Sequence, residues 1–222
     1  MTRSSRTGQR MRISRVRLGR DEYRVLWPDR PPRRAFLFDD GGWALAMYVD
    51  GEAAAVLAVA WGLAARSRHS LVHLPMRANL PPEEPAPDSG VEPLDLVLVH
   101  HSMRFPPSRW PAVRARLGTG RPHTVSPPGD VFPDAGMIDH DRVAHREYHD
   151  HLHFAVAART LFVVGGPEAF LRTGATMIRP LVTEAPAHLA ERPDGHFCAE
   201  IDFGRRRRSG RLHVEYRPTW AL

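Results

Sequence analysis

The residues best placed to do chemistry lie in one segment, Ile138 to His153, IDHDRVAHREYHDHLH, which holds five histidines between His140 and His153. A helix starting at Asp139 and running past His153 would carry Asp141, His145, His149 and His153 at successive i, i+4 steps, as one ridge. Ala144, Tyr148, Leu152 and Ala155 would form an apolar stripe beside it. Two imidazoles one turn apart can share a metal ion, which is the geometric basis of the HExxH zinc site. Here Glu147 stands two residues after His145 instead of one, so the signature is incomplete.

Three further places carry reactive residue types. His100, His101 and Ser102 follow the apolar run Asp95 to Val99, and the end of a central strand is a favoured position for site residues. A Ser beside a His suggests nucleophilic catalysis, but no GxSxG elbow accompanies it. Gly165 and Gly166 precede Pro167 and a short helical pattern; their amides could face a phosphate, although Glu168 in the first turn opposes an anion. The run Arg205, Arg206, Arg207, Arg208, followed by Arg211, lies between two strand-like stretches near the C-terminus.

All 31 basic residues are Arg, with no Lys, one Asn and four Ile. This bias matches GC-rich codons, so Arg abundance alone says little. Its distribution says more. Met1 to Arg34 carries a net charge of +8 and Ala35 to Leu222 a net of −2. Arg12, Arg15 and Arg17 in the first segment and Arg205 to Arg208 with Arg211 in the last are therefore the candidate polyanion contacts. No helix-turn-helix, zinc-finger or RNA-recognition signature accompanies them.

The elements that position these residues are organised around Asp50 to Arg66, DGEAAAVLAVAWGLAAR, in which every position from Ala53 to Ala65 is apolar or Gly. Such a helix has no polar face and is expected to be buried all round, with Asp50 as its N-cap and Glu52 on the positive end of its dipole. At 13 apolar residues it falls short of the about 20 needed to span a bilayer. Before it, Arg12–Leu18 and Tyr23–Trp27 read as one pair of strands, and Ala35–Phe38 and Trp43–Val49 as a hairpin about Asp39, Asp40, Gly41 and Gly42. After it come a strand at Ser70–Met76, a Pro-rich acidic loop at 79–93, a central strand at Asp95–His101 and a helix at Ser108–Leu117. A long loop at Gly118–Gly136, a strand at Thr160–Val164, a helix at Glu168–Arg172, an extended stretch at Met177–Thr183 and a helical turn at Ala187–Arg192 follow. His196–Phe203 and Arg211–Arg217 alternate cleanly and close the chain as a hairpin. Phe197, Ala199, Ile201, Phe203, Leu212, Val214 and Tyr216 share one face; His196, Cys198, Glu200, Asp202, Arg211, His213, Glu215 and Arg217 share the other.

The expected fold is α+β, a mainly antiparallel sheet around a buried apolar helix with a C-terminal β-hairpin. The expected organisation is an Arg-rich arm over 1–20 and a single domain over 21–222. Cys198 is the only cysteine, which precludes an internal disulfide, and the N-terminal stretch lacks an apolar signal core. These features point to the cytoplasm. The expected function is an intracellular binding module whose Arg segments engage a polyanion, nucleic acid, with no cofactor and no membrane. One alternative is a metal-assisted hydrolase using a divalent ion such as zinc on His145 and His149, with Asp141 or His153 and with His100 or His101 reaching in from the strand. The other is an adaptor or inhibitor of an acidic protein partner.

Overall fold

Local sequence chemistry sets the first strands. The computed structural model describes residues 8–39, 45–83, 90–125, 131–202 and 210–220. β1 (Gln9–Leu18) and β2 (Asp21–Pro28) pair antiparallel through the two-residue turn Gly19–Arg20. Gly19 takes φ +67° there, a conformation open to Gly at no steric cost. From Gln9 to Leu18 the Arg-rich N-terminal segment is a strand, paired with β2 from Met11 to Leu18 and with β7 (Arg121–Val125) from Gln9 to Ile13. β7 lies within the stretch expected to be a long loop. It pairs only with β1, and Pro122 is tolerated because an edge strand has no second ladder to feed.

β3 (Ala35–Asp39) and β4 (Leu45–Val49) form the second antiparallel pair; the Asp40–Gly42 turn falls outside the described residues. α1 (Gly51–Arg66) follows, and the Asp50 carboxylate accepts from the Ala53 N–H at 2.8 Å. β5 (Ser70–Leu74) and β6 (Pro93–His100) come next. The described strands join in the order β10-β11-β4-β3-β6-β5-β2-β1-β7, where β10 (Cys198–Asp202) and β11 (Arg211–Tyr216) are the C-terminal hairpin. The sheet is open and mostly antiparallel, with β2–β5, β4–β11 and β6–β9 parallel. β6 is a fork: Pro93 and Leu94 pair with β3, while Asp95 to His100 pair with β9 (Thr160–Gly165), whose outer partner is β8 (His153–Val156).

α1 covers one face of the sheet together with α4 (Pro167–Thr173) and α5 (Arg179–Thr183). Trp61 is fully enclosed, stacks edge-on against Phe170 and donates from Nε1 to Thr173 Oγ1 at 2.9 Å. Ala55 is exposed, and Ala58, Val59 and Leu63 are only half-buried, so α1 is not enclosed on every side. An Ala-rich run gives no polar signal for its open side because a methyl group costs little in water. Residues from both sides of 79–93 contribute to this core, from Ala35 to Tyr216. Between the described ends of that loop and the sheet, Asn79 Nδ2 donates to Pro32 O and Ala35 O, both at 2.7 Å. A second apolar cluster on the opposite face joins Val16, Tyr23, Val25, Val97, Phe105 and Phe162 to Trp110 of α2 (Trp110–Arg114). α2 is shorter than the helix expected at Ser108–Leu117, because Pro107–Arg109 is a 3-10 turn.

Two elements differ in kind from expectation. The stretch around Pro180 is helical, not extended: α4 runs through a π turn (Gly174–Ile178) into α5, and Pro180 sits in the first turn of α5, where a missing N–H costs least. α6 (Ala185–Glu191) follows it. The helix expected from Asp139 past His153 stops after five residues, as α3 (His140–Ala144). Among the described residues no helix is long and apolar enough to cross a membrane.

Candidate functional site

The polyanion residues nominated on β1 divide by the pleat. Residues directly opposite in an antiparallel pair share a face, and the pairs Arg15↔Arg24, Arg17↔Glu22 and Ile13↔Arg121 put Arg15, Arg17, Arg24 and Arg121 on one face of β2–β1–β7. All four are exposed, and so is His123, which stands opposite Met11. Glu22 is the carboxylate of this face, 3.8 Å from Arg15 and 3.4 Å from Arg17. The Arg24 guanidinium is anchored by Ser70 Oγ at 2.5 Å and Ser67 Oγ at 3.1 Å, and these hydroxyls hold its position without neutralising its charge. Arg12 does not belong to this group. It points to the other face, where Nε donates to Asp29 Oδ1 at 2.6 Å and a terminal nitrogen to Thr119 O at 2.9 Å. Arg205, Arg206, Arg207 and Arg208 lie outside the described residues. Arg211 starts β11 and is paired with Glu200 at 3.1 Å and Asp202 at 3.4 Å.

The histidine ridge does not form. After α3 the backbone at His145 is extended, with ψ 144°, and His153 is already in β8, opposite Val164. Asp141, His145, His149 and His153 thus lose the helical spacing that made them ligand candidates. The competing interactions are tertiary. Tyr148 and Leu152 are buried, and the Asp150 carboxylate accepts from the backbone N–H groups of Gly166, Glu168 and Ala169 at 2.7, 3.0 and 3.1 Å. Asp150 therefore occupies the start of α4, where the Gly165–Gly166 turn had suggested a phosphate. A side chain at Gly166 would bring its Cβ within 2.5 Å of that carboxylate, which is why the residue is Gly.

His100 is buried at the end of β6, and its Nδ1 accepts from the Ser102 N–H at 3.2 Å with Ser102 Oγ at 2.8 Å. Ser102 Oγ also reaches Arg68 O at 3.1 Å. These bonds close the 3-10 turn His101–Met103. Burial pushes the His100 pKa down, and among the described residues its Nε2 has no hydrogen-bond partner. His101 is exposed, its ring edge-on to His100 at 4.8 Å.

The outer face of the C-terminal hairpin holds a cluster that sequence alone leaves as a mixed-charge surface. Alternation already puts His196, Cys198, Glu200, His213 and Glu215 on one side; the missing information is the register, Cys198↔Glu215 and Glu200↔His213. His213 Nδ1 lies 2.5 Å from Glu200 Oε1, and His196 Nδ1 lies 2.9 Å from Glu215 Oε1. Glu215 is buried, with its other oxygen 3.8 Å from His213 Nε2. Glu215 and Glu200 together raise the His213 pKa against its partial burial. Burial alone would raise Glu215, but His213, Arg217 and His196 hold it below the usual carboxylate range. Burial, then the two carboxylates, pushes the Cys198 thiol up. His196, Cys198 and His213 each offer a ligand atom within 4.8 Å of the others. Among the described residues Asp141, His145, His149, His153, His100 and His101 join no such group. In comparisons with protein-family models, curated proteins and solved structures, the chain matches none.

Proposed function

We propose that this protein binds a polyanion, nucleic acid, through the exposed Arg side chains of β2–β1–β7. The observation that carries this reading is the cross-strand array Arg15, Arg17, Arg24 and Arg121, in which Glu22 lies against Arg15 and Arg17. Like charges placed directly opposite on a sheet are destabilising, so Arg15 against Arg24 is an arrangement that an anionic ligand would relieve. Exposed guanidiniums gathered on neighbouring strands suit phosphate contacts, which position a nucleic acid without reading its bases. A cytoplasmic location accords with the free thiol of Cys198.

The experiment is a titration of labelled duplex DNA, single-stranded DNA and RNA at low and moderate salt. Binding should weaken steeply with salt, because each phosphate neutralised releases condensed counterions, with a slope of about −0.9 per contact on B-DNA. Arg15→Thr combined with Arg121→Thr should reduce that slope by about 2. Absence of binding to all three at low salt, or an unchanged slope in the double variant, overturns the proposal.

A further inference from the structure

The geometry points to a zinc-type metal site on the outer face of the C-terminal hairpin, with His196 and Cys198 from β10 and its approach and His213 from β11 as ligands. Sequence separation hides the cluster, since 14 residues lie between Cys198 and His213. The register brings them together as diagonal neighbours, which lie about 7 to 8 Å apart in an antiparallel pair and so within reach of each other's side chains.

Three observations converge on a metal. The ligand atoms lie within 4.8 Å of one another; three atoms at that limit stand about 2.8 Å from a common centre, against zinc bonds of about 2.0 to 2.3 Å. An inward movement of about 0.5 Å for the sulfur and about 0.7 to 0.8 Å for the nitrogens, within the range of a χ adjustment, brings the three ligands to bonding distance. Next, both histidines direct Nδ1 to a carboxylate, His196 to Glu215 at 2.9 Å and His213 to Glu200 at 2.5 Å. Metal-bound histidines carry this same outer partner, which fixes the ring; His213 Nε2 faces Glu215 Oε2 at 3.8 Å and exchanges that contact for the ion. Finally, the two rings are stacked, with centroids 5.6 Å apart and planes 17° apart, which keeps both imidazoles together on this face of the hairpin.

The donor set selects the ion. Two imidazoles and a thiolate suit zinc or cobalt(II) and do not suit magnesium or calcium, which take oxygen ligands. Binding releases the Cys198 thiol proton, and any proton on the His213 ring, to solvent; no electron is transferred. Three protein ligands leave one coordination position for water or a small ligand. The ion would also fasten β10, the terminal strand of the sheet, to its neighbour.

The test uses the full chain and the metal alone. Cobalt(II) is titrated into metal-free protein and followed by absorption, with zinc competing, and bound zinc is counted by elemental analysis after dialysis. One equivalent is expected, with tetrahedral d–d bands and a thiolate-to-cobalt charge-transfer band. Cys198→Ser should abolish the charge-transfer band, and His196→Gln, at a ring that is half exposed, should weaken affinity by at least tenfold while the far-UV circular dichroism is unchanged. Failure of wild-type protein to bind either metal, or cobalt spectra in Cys198→Ser and His196→Gln identical to wild type, overturns the site.

Discussion

Arg15 on β1 and Arg24 on β2 are direct cross-strand neighbours on one exposed face, and Glu22, the nearby carboxylate, lies against Arg15 and Arg17 instead of Arg24. A surface built only for stability would place an acid at one of these two positions. Replacing Arg15 by Thr removes the like-charge pair and installs a residue that favours strands. The urea midpoint is expected to stay constant or rise, while affinity for nucleic acid falls. A lowered midpoint would make Arg15 a stabilising residue and remove the sign of functional strain.

The second prediction separates positions along α1. Leu57 is 1% exposed, and Leu57→Ala should cost about 2 to 5 kcal/mol through lost transfer energy and an unrelaxed cavity. Leu63 is half-buried, so Leu63→Ala should cost clearly less. Trp61→Ala should cost about 3 to 5 kcal/mol, since it empties the contact with Phe170 and strands Thr173 without its donor. Urea unfolding of the three variants checks the order, and equal small shifts would place α1 at the periphery of the core.

Asp150 is predicted to be an N-cap supplied from outside the helix it caps. Asp150→Ala leaves the Gly166, Glu168 and Ala169 amides without their acceptor and should cost about 0.5 to 2 kcal/mol. Asp150→Asn keeps one acceptor oxygen and should recover part of that. Amide hydrogen exchange at Glu168 and Ala169 is the direct readout; unchanged protection in the Ala variant would contradict the cap.

The fourth prediction is a pH dependence centred on His73. This ring is 4% exposed, edge-on to Trp110 at 4.9 Å and 3.6 Å from Asp95 Oδ2. Burial, with Arg114 and Arg77 nearby, outweighs the attraction of Asp95 and lowers its pKa below the ordinary 6.5. As pH falls through 6.5 the unfolded chain takes up a proton that the folded chain refuses, so folding loses stability on the acid side. Asp95 is held below its ordinary 3.8: burial opposes this, but His73 and the backbone amides of Arg77 and Met76 prevail, so its contribution persists until stronger acid. The His213 contribution runs the other way, so the measurement is a difference. Between about pH 7.5 and about pH 5 the wild type should lose more stability than His73→Phe, which has no proton to take up there. Parallel slopes would rule out His73 as the source.

By itself the sequence determined the elements whose signals are local. The turn residues between Arg12–Leu18 and Tyr23–Trp27 and between Ala35–Phe38 and Trp43–Val49, alternation over His196–Phe203 and Arg211–Arg217, and Asp50 ahead of an apolar run were enough to place two N-terminal strand pairs, α1 and the C-terminal hairpin. Apolar content also marked β6 as a central strand and β9 as a strand. Tertiary structure decided everything that depends on a partner. The helical spacing of His145, His149 and His153 lost to the Asp150 bonds at α4 and to the β8–β9 ladder, because several hydrogen bonds and the burial of Tyr148 and Leu152 outweigh the weak propensity of one His-rich turn. β7 was invisible because a strand containing Pro122 is stable only against the edge of β1. The grouping of Arg15, Arg24 and Arg121, and that of His196, Cys198 and His213, follows from register, which is a relation between strands. A residue's pattern along its own strand fixes which face it occupies, and only pairing fixes what stands beside it.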